Sequence, residues 1–141
     1  MEWIFLPYKR YADFSGRSQR KEYWLFQLLL VMVIVVAVLP FFATSAAFES
    51  NAGAEPELSG FAIAGAVLLG IFVLGSIIPS IAVTVRRFHD QDKSGWFYLL
   101  SFIPYVGGWI VFVFMCLDGT HGENKYGPDP KGTGIDTHVF D

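Results

Sequence analysis

The stretch FAIAGAVLLGIFVLGSIIPSIAVTVRRFHDQDKSGWF, residues 61–97, changes character between Val85 and Arg86. From Phe61 to Val85 it holds no Asp, Glu, Lys, Arg or His; from Arg86 to Lys93 it holds two arginines, a histidine, two aspartates and a lysine. As a helix rising about 1.5 Å per residue, the uncharged part can cross a hydrocarbon core of roughly 30 Å. The charged part is where such a crossing stops. It raises a second question: whether Arg86, Arg87, His89 and Asp90 mark a boundary or carry chemistry of their own.

Two further apolar runs flank this one. YWLFQLLLVMVIVVAVLPFFA covers residues 23–43, and WFYLLSFIPYVGGWIVFVFMCL covers residues 96–117. Hydrophobic residues make up 53% of the chain and charged residues only 16%, against about 25% charged in ordinary soluble domains. The expectation is an all-α, small polytopic membrane protein. It has two firm transmembrane helices, at about 23–43 and 61–85, a third segment at 96–117 and a short N-terminal interfacial segment. The whole forms one integral-membrane domain over residues 1–130, with 131–141 a disordered tail.

The third run is broken by Pro104, Gly107 and Gly108. Proline and glycine are tolerated in a spanning helix when neighbours satisfy the backbone, and a kinked crossing is favoured. The alternative is re-entrant, with two half-helices of roughly 13 Å each returning the tail to the side it left.

Cations are unevenly placed. Lys9, Arg10, Arg17, Arg20 and Lys21 precede the first run, and Arg86, Arg87 and Lys93 follow the second, while residues 44–60 hold Glu49, Glu55 and Glu57 with no Lys or Arg. Short cytoplasmic loops carry the Lys/Arg excess. The N-terminus is therefore expected in the cytoplasm, 44–60 outside, and 86–95 inside. ATSAAF at 43–48 resembles a cleavage site, but the apolar run before it exceeds a signal core, so an uncleaved anchor is expected. Residues 2–14, EWIFLPYKRYADF, with Trp3, Tyr8, Tyr11 and Phe14, read as a segment lying on the inner surface. Ala62, Ala66 and Gly70, and likewise Ser76, Ser80 and Thr84, form small-residue stripes that let helices approach closely. Packing within one subunit is favoured, with a homo-oligomer as the other use. Pro79 predicts a kink.

Three separated pieces carry a family resemblance: FSGRSQRKEYW at 14–24, RRFHDQDKSGWF at 86–97 and DGTHGENKYGPDP at 118–130. Their order, with the apolar runs between them, resembles the "domain of unknown function 805" family of small bacterial inner-membrane proteins, over about residues 8–130. The resemblance points to Phe14, Gly16, Arg17, Arg20, Glu22, Tyr23 and Trp24. It points equally to Arg86, Arg87, His89, Asp90, Ser94, Gly95 and Trp96. In the third piece it points to Gly122, Asn124, Tyr126, Gly127, Pro128, Asp129 and Pro130. Phe88 stands where leucine is expected. The resemblance implies the fold and a multi-pass location in the bacterial cytoplasmic (inner) membrane, and brings no established activity.

Several chemistries compete for these residues. His89, Asp90 and Asp92, joined by Asp118, His121 and Asp129, fit no standard metal-ligand spacing, so no metal is expected. Cys116 stands alone and supports neither a disulfide nor a zinc cluster. Asp90 and Asp92 are better read as neutralising Arg86 and Arg87, or Arg17 and Arg20, in an interfacial ion-pair network. The candidate network or ligand-binding set is Arg17, Arg20, Glu22, Arg86, Arg87, His89, Asp90, Asn124 and Asp129. Ser94, Gly95 and Trp96 read as the cap, turn and interfacial anchor of the third run, with Pro104, Pro128 and Pro130 shaping turns. No catalytic residue or cofactor is expected, and no basic tract points to nucleic acid.

Anionic head groups of membrane lipids are the expected partners, because paired arginines suit phosphates. The function expected first is a non-enzymatic helix-packing, scaffold or head-group- and partner-binding module. A subunit of an oligomeric transporter or channel comes second, weakened by spans without ionisable residues. An enzyme acting on a lipid-linked substrate comes third.

Overall fold

A computed structural model describes residues 2–50 and 60–132, with side chains for 4–39 and 63–132. Its elements are α1 (Glu2–Lys9), α2 (Arg20–Ser50), α3 (Gly60–Asp90), a 3-10 helix (Gly95–Phe102) and α4 (Gly107–Cys116). No strand occurs among the described residues. Two stretches, Arg20–Leu39 in α2 and Ile63–Asp90 in α3, are long and apolar enough to cross a membrane. Both helices outrun the apolar runs that announced them: α2 continues to Ser50 and α3 begins at Gly60. Much of the loop expected at 44–60 is thus helical, while residues 51–59, and the tail beyond 132, lie outside the described residues. α3 continues through Pro79 as one helix.

The chain divides into two compact units, residues 27–77 and residues 1–26 with 78–141. The first is made of the apolar lengths of α2 and α3. Leu28, Val31, Met32, Val36 and Leu39 are exposed on one helix, and Ile63, Leu68, Ile71 and Leu74 on the other, as lipid-facing side chains would be. The Ser76 hydroxyl donates to Phe72 O at 2.7 Å within its own helix. Ala66 and Gly70 are exposed, and a Cβ built on Gly70 meets nothing within 4 Å. This part of the small-residue stripe therefore does not serve packing inside the described chain, contrary to the favoured expectation.

The second unit has a small core of Tyr23, Phe26, Ala82, Val83, Phe88, Val111 and Met115. Tyr8 meets Phe26 edge-on at 5.2 Å and pins α1 to α2, while Trp24 meets Phe112 at 5.5 Å and pins α4 there. Phe88 packs against both Phe97 and Phe114.

α3 ends in a Schellman turn. Lys93 N–H donates to Phe88 O, and Asp92 N–H donates to His89 O, each at 3.0 Å. Asp92 supplies the left-handed residue at φ 56°, a role usually taken by glycine and tolerated by aspartate. The chain then turns at Ser94, whose Oγ accepts from Trp96 N–H at 3.4 Å.

The crossing favoured for residues 96–117 is replaced by a hairpin. The 3-10 helix runs out, Ile103–Val106 turns with Tyr105 at φ 67°, and α4 runs back. Gln91 Nε2 donates to Phe114 O at 2.5 Å, and Thr120 N–H donates to Asp90 O at 2.8 Å. The beginning and the end of the run therefore meet at the end of α3. Gly107 makes the close return feasible, because a Cβ there would lie 2.3 Å from Leu100 O. At rises of about 2.0 and 1.5 Å per residue the two arms reach roughly 16 and 15 Å, about half a hydrocarbon core.

Candidate functional site

The last turns of α3 carry Arg86, Arg87 and Asp90, all buried. Three residues apart on a helix, Arg87 and Asp90 face the same way, and Arg87 Nη1 donates to Asp90 Oδ2. Arg17 arrives from the loop before α2, after a left-handed turn at Gly16 (φ 75°). Its Nε donates to Asp90 Oδ1 at 3.0 Å. Its other two nitrogens are taken by backbone carbonyls: Nη1 donates to Gly122 O at 2.5 Å and Gly127 O at 3.3 Å, and Nη2 to Thr120 O at 2.5 Å. One carboxylate thus sits between two guanidinium groups, and one of those guanidiniums clamps the loop 118–130. Arg87 Nη2 donates to Leu117 O, fixing the start of that loop as well.

A second buried pair lies beside the first. Arg86 Nη2 donates to Glu22 Oε1 at 3.0 Å, and Ser18 Oγ donates to Glu22 Oε2 at 2.5 Å. Ser18 N–H donates to Arg86 O at 3.2 Å, which ties the N-terminal loop to α3. The two pairs hold three arginines against two carboxylates. Arg86 Nε and Nη1, Arg87 Nε and Gln91 Oε1 are buried without hydrogen-bond partners. Desolvated ion pairs of this kind cost much of what they return. Their value here lies in fixing which segments meet.

The loop 118–130 is shaped by its own polar residues. Asn124 and Gly127 exchange backbone hydrogen bonds at 3.1 and 2.9 Å. Asn124 Oδ1 accepts from Tyr126 N–H at 2.9 Å, and its Nδ2 donates to His89 O at 2.9 Å. Asp129 accepts from Gly122 N–H at 3.2 Å and Lys131 N–H at 2.9 Å. Pro130 O accepts from Gln19 Nε2. Gly119 lies so close to Asp90 that any Cβ would overlap its carboxylate.

Not every residue singled out from the sequence joins this buried network. Asp92 does not neutralise an arginine; it caps α3 and pairs with Lys125 at 3.5 Å. Arg20 stands at the rim, where its Nη2 meets Asp118 Oδ2 at 2.9 Å and its Nε donates to Leu117 O at 2.9 Å. Lys131 Nζ approaches the other oxygen of Asp118 at 3.3 Å. Hydrogen bonding from Lys131, with Arg20 nearby, holds the Asp118 carboxyl below its ordinary pKa. Gln19, Arg20, Lys21, Asp118 and Lys131 line an open cleft of about 400 Å³. No group of three or more His, Cys, Asp or Glu able to hold a metal gathers among the described residues. His89 turns its Nδ1 to Gly16 O at 3.2 Å and stacks its ring on Tyr126. Ser18, Gln91, Gly119 and Thr120 were missed by motif reasoning; the Gly-Thr pair directly after Asp118 was the available signal.

The family described as "Protein of unknown function (DUF805)" matches residues 11–128, from the loop before α2 to Pro128. The chain belongs to the DUF805 family. Among its relatives is "Inner membrane protein YhaH" of Escherichia coli (strain K12), 41% identical over 93% of this chain and 98% of that protein. "Inner membrane protein YhaI" of the same strain is 37% identical over 93% of this chain and 97% of its own length. "Uncharacterized protein YiiR" is more distant, at 28% identity over 92% of this chain and 89% of its own. No solved structure matches. Two apolar helices and relatives named as inner membrane proteins make this DUF805 chain an all-helical integral membrane protein.

Proposed function

We propose that this DUF805 chain is a non-enzymatic module of the bacterial inner membrane that binds anionic lipid head groups at its cytoplasmic face. One observation carries the reading: Arg20, Lys21 and Lys131 stand around a cleft in which Asp118 is the one acid among the described lining residues. That excess of positive charge, on side chains still reachable from outside, suits a phosphate. The buried arginines are poor candidates by comparison, because Arg17 and Arg87 are already committed to Asp90 and backbone carbonyls. The same commitment argues against an enzyme, since no activated nucleophile or free acid–base pair stands among the motif residues. The Lys/Arg distribution supports a cytoplasmic N-terminus with residues 86–95 and the start of the 118–130 loop on the same side. The third apolar run then dips into the bilayer and returns.

The test is lipid retention after extraction in mild detergent, read by native mass spectrometry. Arg20→Gln combined with Lys131→Gln lowers retained phosphatidylglycerol and cardiolipin several-fold, without loss of folded protein. Unchanged retention rejects the reading. A second copy packed on the open face at Gly65, Ala66 and Gly70 is compatible with the same module, and Gly70→Leu would then reduce any oligomer seen in nanodiscs.

A further inference from the structure

Two parts of the family motifs take no part in the ion pairs: the ring of His89 and the turn Ser94–Gly95–Trp96. They line one open groove of about 450 Å³, together with Val85, Tyr98, Leu99 and Tyr126.

The groove is organised around His89. Its ring lies flat on Tyr126, with centroids 3.8 Å apart and planes within 5°. Its Nδ1 faces Gly16 O at 3.2 Å. A carbonyl oxygen only accepts, which assigns the proton to Nδ1 and leaves Nε2 of the neutral ring as an acceptor. A Cβ on Gly95 would come within 3.3 Å of that nitrogen and 2.7 Å of Val85 Cγ1. Glycine at this position therefore keeps the approach to Nε2 open. Trp96 forms one wall and is 77% exposed.

An acceptor nitrogen among aromatic and aliphatic walls selects its ligand chemically. A phosphate or carboxylate would meet a lone pair, no Lys or Arg is among the described lining residues, and Lys125, 5.1 Å from the Tyr126 centroid, is paired with Asp92. A flat ring carrying a hydroxyl fits better: the ring lies among the aromatic side chains, and the hydroxyl donates to Nε2. Trp96, Tyr98 and Leu99 belong to the third apolar run, so the body of the ligand is lipid-soluble. We propose that the His89 groove binds the aryl hydroxyl of a lipid-soluble phenol, the chemistry of a membrane hydroquinone. This site is separate from the cationic cleft, and its fate does not depend on head-group binding there.

The test uses the full chain in lipid nanodiscs, titrated calorimetrically with para-nonylphenol, with its methyl ether and with phenol itself, against empty nanodiscs. The expected result is saturable binding of nonylphenol, with the methyl ether weaker by roughly three- to tenfold for one lost hydrogen bond. His89→Phe keeps a flat ring beside Tyr126 and abolishes the difference between phenol and ether. Trp96→Leu, at an exposed position, weakens both and covers the case in which the His89 variant fails to fold. Equal binding of phenol and ether to the unaltered chain overturns the proposal, as does unchanged binding by Trp96→Leu. If phenol without its tail binds as tightly as nonylphenol, the lipid-soluble assignment is overturned.

Discussion

Arg17 and Asp90 lie 73 positions apart in the chain and 3.0 Å apart in space, Nε to Oδ1. Their side chains are only 1% and 3% exposed. Asp90 ends α3, and Arg17 precedes α2, so this pair joins the end of one candidate span to the start of the other. The same guanidinium holds the loop after α4 through three carbonyls. Three segments of the chain, the loop before α2, the end of α3 and the loop after α4, thereby meet at one side chain.

Removing that side chain is expected to be severe. Arg17→Ala leaves the Asp90 carboxylate with Arg87 and removes three carbonyl contacts that hold the 120–127 loop, at a cost of about 3–5 kcal/mol. Arg17→Lys recovers little, because an ammonium has no planar fork to reach a carboxylate and several carbonyls together. Thermal unfolding in detergent and limited proteolysis between 118 and 132 measure both effects. A Lys variant equal to the parent chain would contradict the geometry.

Glu22 and Arg86 should behave as a coupled unit. Either Glu22→Leu or Arg86→Leu alone strands a buried charge, costing about 3–5 kcal/mol. The double Leu variant is expected to be clearly more stable than either single one, with a coupling on the order of 1–3 kcal/mol. Simple additivity in the double-mutant cycle would show that the 3.0 Å contact is not formed.

Asp92 offers a change in the stabilising direction. Its φ of 56° favours glycine, and its pair with Lys125 is exposed and of small value. Asp92→Gly should hold or raise the melting temperature, whereas Asp92→Val should lower it, since a β-branched residue resists this conformation. Melting curves of the two variants, compared with the parent, decide the sign.

The Asp118 carboxyl titrates below its ordinary value in the folded chain. A depressed folded-state pKa stabilises above the unfolded value, and the contribution disappears as pH falls through the folded one. Contacts of Arg20 and Lys131 with Asp118 should therefore persist at neutral pH and loosen only in acid, below the usual carboxylate range. Lys131→Gln removes the largest cause of the shift and should raise the Asp118 pKa toward normal, as followed by carboxyl-carbon NMR.

The two candidate spans were legible because nothing but charge-free length was required to see them. The buried network was half legible: arginines and acids in the right pieces announced ion pairs, but not which acid served. Asp90 and Asp92 look alike in sequence. They differ because Asp90 is still helical while Asp92 sits in the turn that ends the helix. Arg17 was harder still, since most of its partners are carbonyls, and a carbonyl has no letter in the sequence. The third run defeated the reading for a related reason. Pro104 and Gly107 permit a kink or a reversal equally, and the choice is made by contacts such as Gln91 with Phe114 and Thr120 with Asp90. Of these four residues only Asp90 belongs to the candidate set that the motifs pointed to.

The hairpin return also sets an order in time. Arg17 and Asp90 are synthesised before the carbonyls of Thr120, Gly122 and Gly127 that complete Arg17. Until then Arg17 has Asp90 but none of its carbonyl partners, and the ends of α2 and α3 are held by Arg17–Asp90, Glu22–Arg86 and Ser18–Arg86 alone. Closure reports that synthesis has passed residue 127. A chain cut short before that point would keep an unmet charge at the membrane surface, a ready mark for proteolytic disposal.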